Sequence, residues 1–288
     1  MSDQQVFKIA VIQARPVSIS HEEMSKGGDV EHALWLLKEA KARGADIACF
    51  PELYPRTGEA ELRRAASELG LWVVAGLEET MESSGYYNTA TFISDEGEIV
   101  GRQRKVYPTE IELARGSLAG SDYSVIETRF GKFGAVICSD FAFVNHGIQS
   151  LCLQGVELVF NPSWWFALAQ GFPAVVLGRH FEYGIPVIGV NMAKVSMSGS
   201  NSSNEGPLPA AGGYSTVAIP PRVESLEQLH EWFRTKSSGI DVVGDFCQTL
   251  SEEEAVMVVE VDLAAARRFP GYFYSLEARE THLANLVR

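Results

Sequence analysis

A chain of 288 residues with 46% hydrophobic and 21% charged side chains can bury its own core, and this composition excludes wholesale disorder and fibrous repeats. Its formal charge of −13, from 37 acidic against 24 basic side chains, has the wrong sign for a surface that neutralises phosphates, so no nucleic-acid partner is expected. The start "MSDQQVFKIAVIQARP" lacks the plan of a signal peptide and no apolar run reaches membrane-spanning length, so no membrane partner and a cytoplasmic location are expected.

Short β-branched runs alternate with helical patterns nearly from end to end, which predicts a layered α/β fold in one domain over 1–288. "VFKIAVIQ" reads as a strand. "GDVEHALWLLKEAKARG" places Val30, Ala33, Leu34, Leu37 and Ala40 on one helical face and stops at Gly44. "DIACF" is a buried strand ending at Pro51 and Glu52, "EAELRRAASELG" a second helix and "WVVAGL" the next strand. "NTATFIS" and "EIVGRQRKVYP" form a hairpin through Asp95-Glu96-Gly97, leaving Lys105 at the far end of the second strand.

Beyond it come "YSVIET", a turn at Phe130-Gly131-Lys132, the strand "FGAVIC", a helix around "HGIQSLCLQG" and the strand "ELVFN". "FALAQGFPAVVLGRHFEYG" predicts a helix interrupted near Pro173, followed by the strand "IPVIGVN". Residues 196–213, rich in Ser, Asn, Gly and Pro, predict a surface loop, "VESLEQLHEWFRTK" an amphipathic helix and "EEEAVMVVEVDL" a late strand.

Three polar groups fall where strands end: Glu52, Lys105 and Cys138. Side chains at strand ends of α/β proteins project into the crevice where ligands collect. A cysteine attacks as thiolate, a neighbouring ammonium favours that form, and a carboxylate can take its proton and later activate water. The lysine also suits an oxyanion formed when sulfur adds to a carbonyl. Each also has an ordinary reading: a buried small hydrophobe for the cysteine, a helix-capping acid, a solvated lysine. Cys49, Cys152 and Cys247 take that ordinary reading, as free thiols without metal-ligand spacing.

"FPELYPRTG", "GRQRKVYP" and "GKFGAVICSDFAF", in that order, resemble the signature blocks of the nitrilase superfamily, the carbon–nitrogen hydrolases. The likeness extends through "FKIAVIQARP", "LVFNPSWW", "GRHFEYGIPVIGVN" and "GGYSTVAIPP". What the resemblance implies is a four-layer α-β-β-α sandwich, at least a homodimer, and a cofactor-independent Glu-Lys-Cys triad. Residue by residue, Glu52 is then the general base, Lys105 the stabiliser of the tetrahedral intermediate, Cys138 the nucleophile that forms a thioester, and the Ser139 N–H the second oxyanion donor.

Relatives carry a second glutamate shortly after the lysine. In "KVYPTEIELARG" both Glu110 and Glu112 are available, and the distance to Gly116 favours Glu110. Trp164 and Trp165 are expected to line the pocket, and His146 to contact substrate or simply begin a helix; Glu182 reads as structural, near a subunit interface, with Tyr183 replacing the family's Asn. After the cysteine, Ser139-Asp140 matches the amidase type at Asp140, favouring a small linear amide or N-carbamoyl compound over a nitrile, whereas "FAFVNH" departs from the family's continuation and "ESLEQLHEWFRTK" reads as an insertion. A Cys/His hydrolase using His146 or His180, acyl transfer to an amine, and a binding protein whose chemistry has lapsed are the competing readings.

Overall fold

The computed structural model describes residues 6–17, 26–81, 85–165, 169–195, 212–236 and 244–273. The loop expected over 196–213 lies, through 211, outside them.

Alternation along each strand builds the layers. In β1 (Val6–Gln13) the odd residues Phe7, Ile9 and Val11 enter one apolar cluster, and the even residues Ala10 and Ile12 enter another on the opposite face. The same split recurs in β2 (Ile47–Cys49) and β4 (Trp72–Met81), where Cys49 and Val74 face one way and Ala48 and Val73 the other. With β3 (Pro55–Arg56), β5 (Gly85–Ile93), β6 (Ile99–Arg104) and the late strand β13 (Ala255–Asp262), they make a seven-stranded sheet ordered β13-β1-β2-β4-β5-β6, with β3 pairing β4.

The second sheet holds β7 (Ile126–Thr128), β8 (Gly131–Ala135), β9 (Leu158–Ser163), β10 (Val187–Asn191), β11 (Thr216–Ala218) and β12 (Cys247–Thr249), in the order β12-β11-β10-β9-β8-β7. Phe133, Ala135, Phe160, Ile188 and Val190 turn toward Phe7, Val11, Val74 and Phe92 of the first sheet, so the main core lies between the two sheets. Burial of each large side chain there contributes about 1.5–3 kcal/mol.

Helices cover both outer faces. α1 (Val30–Ala42) lays Ala33, Leu36, Leu37 and Ala40, and α2 (Glu59–Leu69) lays Leu62, Ala65 and Ala66, on the first sheet. On the second sheet, Ile148 and Leu151 of α5 (His146–Leu153) and Phe172 and Val176 of α6 (Phe172–Tyr183) pack on Val136, Val159 and Val187. The layers are thus α-β-β-α, as the resemblance implies. Among the described residues, no helix is long and apolar enough to cross a membrane.

Several local expectations shift. The turn before β8 falls earlier, because Gly131 already pairs with Thr128. Pro173 opens α6 instead of interrupting it, since a proline in the first helical turn removes an N–H that has no acceptor there. The short helices α3 (Glu110–Ala114), α4 (Ser139–Phe143) and α8 (Leu263–Arg268) carry too few turns to print a periodicity. The expected amphipathic helix is α7 (Leu226–Thr235), capped by Ser225; its Leu229 joins Val223, Phe246 and Phe269 in a small separate core.

Gly76 of β4 lets the chain leaving β2 cross close by. A Cβ there would stand 2.3 Å from the Pro51 carbonyl oxygen and 2.5 Å from the Leu53 nitrogen, both backbone atoms flanking Glu52. Gly76→Ala should therefore lower stability by about 1–3 kcal/mol in urea unfolding, and an unchanged midpoint would contradict this packing.

Candidate active site

The three strand-end groups converge. Glu52 follows β2 and Lys105 follows β6, both in the first sheet, and Cys138 follows β8 in the second. All three are nearly excluded from solvent, with relative exposures of 4%, 2% and 9%. The Lys105 Nζ lies 2.8 Å from Glu52 Oε1, and the Glu52 and Lys105 charges both act on the Cys138 thiol.

Backbone conformation aims two of these groups. Cys138 takes φ 47° and ψ −110° between β8 and α4, and Leu53, next to Glu52, takes φ 51°. Non-glycine residues adopt such angles only where surrounding contacts hold them, and these conformations concentrate at functional sites. Here the Cys138 N–H is held by the Pro162 carbonyl at 2.9 Å, while the Cys138 carbonyl accepts from Phe141 at 3.0 Å. Lys105 is fixed through its backbone as well: its N–H donates to Asn88 at 2.8 Å and its carbonyl accepts from Gly120 at 2.7 Å.

The second glutamate at Lys105 is Glu112, which corrects the preference for Glu110. Glu112 Oε2 lies 2.8 Å from Lys105 Nζ. The cause is local. Thr109 caps α3 and Glu112, three residues on, closes a capping box with it, so the Glu112 side chain folds back toward Lys105 while Glu110 sits exposed in the first turn. Asn88, unforeseen from sequence, joins the two acids: its Nδ2 donates to Glu52 Oε1 at 2.7 Å and to Glu112 Oε1 at 3.0 Å.

Electrostatics follow from this burial. Desolvation alone would strip the Lys105 proton, but Glu52, Cys138 and Glu112 outweigh it and raise its pKa, so Lys105 is an ammonium. Burial raises Glu52, with repulsion from Glu112 adding to it and Lys105 opposing. Glu112 moves the other way: burial works against its charge, yet Lys105 and the surrounding donors pull it below the usual value. For Cys138, burial and then the Glu52 charge raise the thiol well above its ordinary value, although Lys105 pulls it down. The expected help from the ammonium is present but overruled, which favours the protonated thiol over the thiolate.

The other expected residues divide. Ser139 opens α4, where the first N–H groups have no intrahelical acceptor. Trp164 and Trp165 follow β9; the Trp165 N–H is held by Asn191 Oδ1 at 2.9 Å, and its ring stacks on the exposed Phe143 at 6.2 Å. His146 lies exposed at the start of α5 with its ring edge-on to Tyr123. His180 is spoken for elsewhere, its Nδ1 2.7 Å from the Ile185 carbonyl oxygen. Glu182 pairs with Arg179 at 2.7 Å on the surface of α6. Among the described residues no group of three or more His, Cys, Asp or Glu could hold a metal ion.

An ordered set of charges on one thiol gives signed expectations. Labelling of Cys138 by iodoacetamide should rise with pH through a midpoint above that of an ordinary cysteine, about 8.5. Glu52→Gln should move the midpoint down, by removing a negative charge, and Lys105→Met should move it up. Shifts of the opposite sign, read by mass spectrometry of the Cys138 peptide, would contradict the arrangement.

The family model of the carbon-nitrogen hydrolases matches residues 8–270. A cyanide hydratase from Armillaria gallica is 29% identical over 214 residues, covering 62% of this chain and 58% of its own length. The omega-amidase NIT2-B of Xenopus laevis is 23% identical over 196 residues, covering 57% and 69%. Thus the chain spans less than two thirds of the length of the first of these relatives. Among solved structures, a mutant of the amidase from Nesterenkonia sp. AN1 in complex with butyramide has a TM-score of 0.66 at 16% identity, covering 93% of this chain and 95% of its own. With a family match running through nearly every element that builds the site, the chain belongs to the carbon-nitrogen hydrolases of the nitrilase superfamily.

Proposed function

We propose that this chain hydrolyses a non-peptide C–N bond in a small linear amide or N-carbamoyl compound, releasing ammonia. The observation that carries the reading is a single buried carboxylate, Glu52, 2.8 Å from the Lys105 ammonium and close enough to Cys138 for its charge to raise the thiol. A protonated nucleophile in contact with a base of raised pKa is poised for proton transfer during attack.

In the first half-reaction Glu52 takes the thiol proton as sulfur bonds to the carbonyl carbon. The oxyanion is met by the Lys105 ammonium and the Ser139 N–H. Glu52 returns its proton to the departing nitrogen, and ammonia leaves a thioester on Cys138. Glu52 then deprotonates water, whose oxygen adds to the thioester carbon, and the thiolate leaves with that proton. Glu112 holds Lys105 at 2.8 Å and keeps a positive charge in place while Glu52 alternates between acid and base.

Amidases stand among the relatives, and Asp140 matches the amidase type; a cyanide hydratase also stands among them, which makes nitrile conversion the second reading. The enzyme is read as cytoplasmic and at least dimeric, with Trp164 and Trp165 lining the acyl pocket.

Ammonia release should be measured from aliphatic amides, N-carbamoyl amino acids and nitriles. Release from amides or carbamoyl compounds, reduced roughly 10⁴-fold or more in Cys138→Ala, is expected; release from nitriles alone would move the chain to the second reading, and undiminished release in Cys138→Ala would overturn the mechanism. Glu112→Gln should lose at least about tenfold in kcat and Glu110→Gln should not. Equal tolerance at both would remove Glu112 from the site.

A further inference from the structure

Asp140 is a buried charge that the reaction steps leave unused. It stands two residues after Cys138 with no exposure to solvent, and every contact of its carboxylate is with a donor. Oδ2 accepts from the Val106 N–H at 2.8 Å and from the Tyr123 hydroxyl at 2.8 Å, and Oδ1 accepts from the Tyr107 N–H at 3.1 Å. Three donors on one carboxylate are what a buried anion needs to persist.

The identity of those donors matters. Val106 and Tyr107 directly follow Lys105, whose chain comes off the first sheet, whereas Asp140 sits in α4, directly after the nucleophile of the second. The carboxylate therefore ties the segment that carries the ammonium to the segment that carries the sulfur. Tyr123 is itself wedged in place: a Cβ on Gly147 of α5 would stand 2.8 Å from its ring. Burial raises the Asp140 carboxyl above its ordinary value, while the Val106 and Tyr107 N–H groups, the Tyr123 hydroxyl and the Lys105 charge oppose that rise and favour the anion; the other titratable neighbours are the phenols of Tyr123 and Tyr107.

We propose that Asp140 is a positioning residue that sets the distance between Lys105 and Cys138 across the two sheets, with Tyr123 orienting its carboxylate. This rests on the catalytic reading above and deepens it. Asp140 touches neither the reacting sulfur nor the acyl group; it acts through Lys105. An asparagine of the same size would keep one acceptor and turn an NH2 group toward a backbone N–H, so the clamp would open even though the volume is conserved.

The test is a cycle of Asp140→Asn and Lys105→Met, read in two ways on the full chain. Turnover of the best substrate by Asp140→Asn should fall about 100-fold in kcat with KM little changed. The pH midpoint of Cys138 alkylation should change by different amounts with Lys105 present and absent, because the positional part of the effect needs the ammonium. Tyr123→Phe, which removes one of the three donors without changing charge, should lose about tenfold in kcat and raise the midpoint only where Lys105 is present; it serves if Asp140→Asn does not fold. An identical midpoint shift in both backgrounds, or folded variants with wild-type kcat, would overturn the proposal. Loss of activity in every protein including wild type would instead strike the catalytic reading, and the alkylation midpoints would still decide the coupling.

Discussion

Everything in this site depends on keeping one ammonium charged inside the protein. Lys105 is 2% exposed, and an isolated buried ammonium would lose its proton before it lost its hydration. Two carboxylates at 2.8 Å reverse that outcome. Once Lys105 must be an ammonium, Glu52 and Glu112 must both approach it, Asn88 must bridge their oxygens, and the strand ends of the first sheet must meet. The cysteine is then introduced from the second sheet into a constellation of one ammonium and two acids.

The same buried charge sets a division of labour between the two acids. Both lie against Lys105, yet burial and mutual repulsion push Glu52 up while the Thr109 cap and Asn88 help hold Glu112 down. Two carboxyl groups whose environments separate them in this way take different roles: one exchanges protons and the other stays ionised. A thiol raised by burial fits the same scheme, since a permanently formed thiolate would compete with Glu52 for Lys105 and leave the base no proton to take.

Much of this was legible in the sequence, for physical reasons. Alternation in "VFKIAVIQ" and "WVVAGL" is a direct consequence of a strand with one face on each core, and β1 spans the residues so predicted. Glu52, Lys105 and Cys138 are visible because polar groups ending apolar runs stand out. Glu110 and Glu112 were both candidates, and the signal separating them was present: Thr109 and Glu112 stand at capping-box spacing, which fixes the start of α3 and turns Glu112, not Glu110, back over the helix end. Asn88 had no local signal, because its place comes from the pairing of β4 with β5 and from the approach of the β2 turn. His146 opens α5, the second of its two readings, and its ring lies edge-on to Tyr123.

The central claim is that acyl transfer passes through the Cys138 sulfur. Acid-quenched mixtures of the enzyme with a turned-over amide or carbamoyl substrate, digested and weighed by mass spectrometry, test it most directly. The account predicts a mass increase equal to the acyl group on the peptide containing Cys138, formed during turnover and absent from Cys138→Ala. Turnover with the acyl group on another residue, or substantial turnover retained by Cys138→Ala, would contradict it.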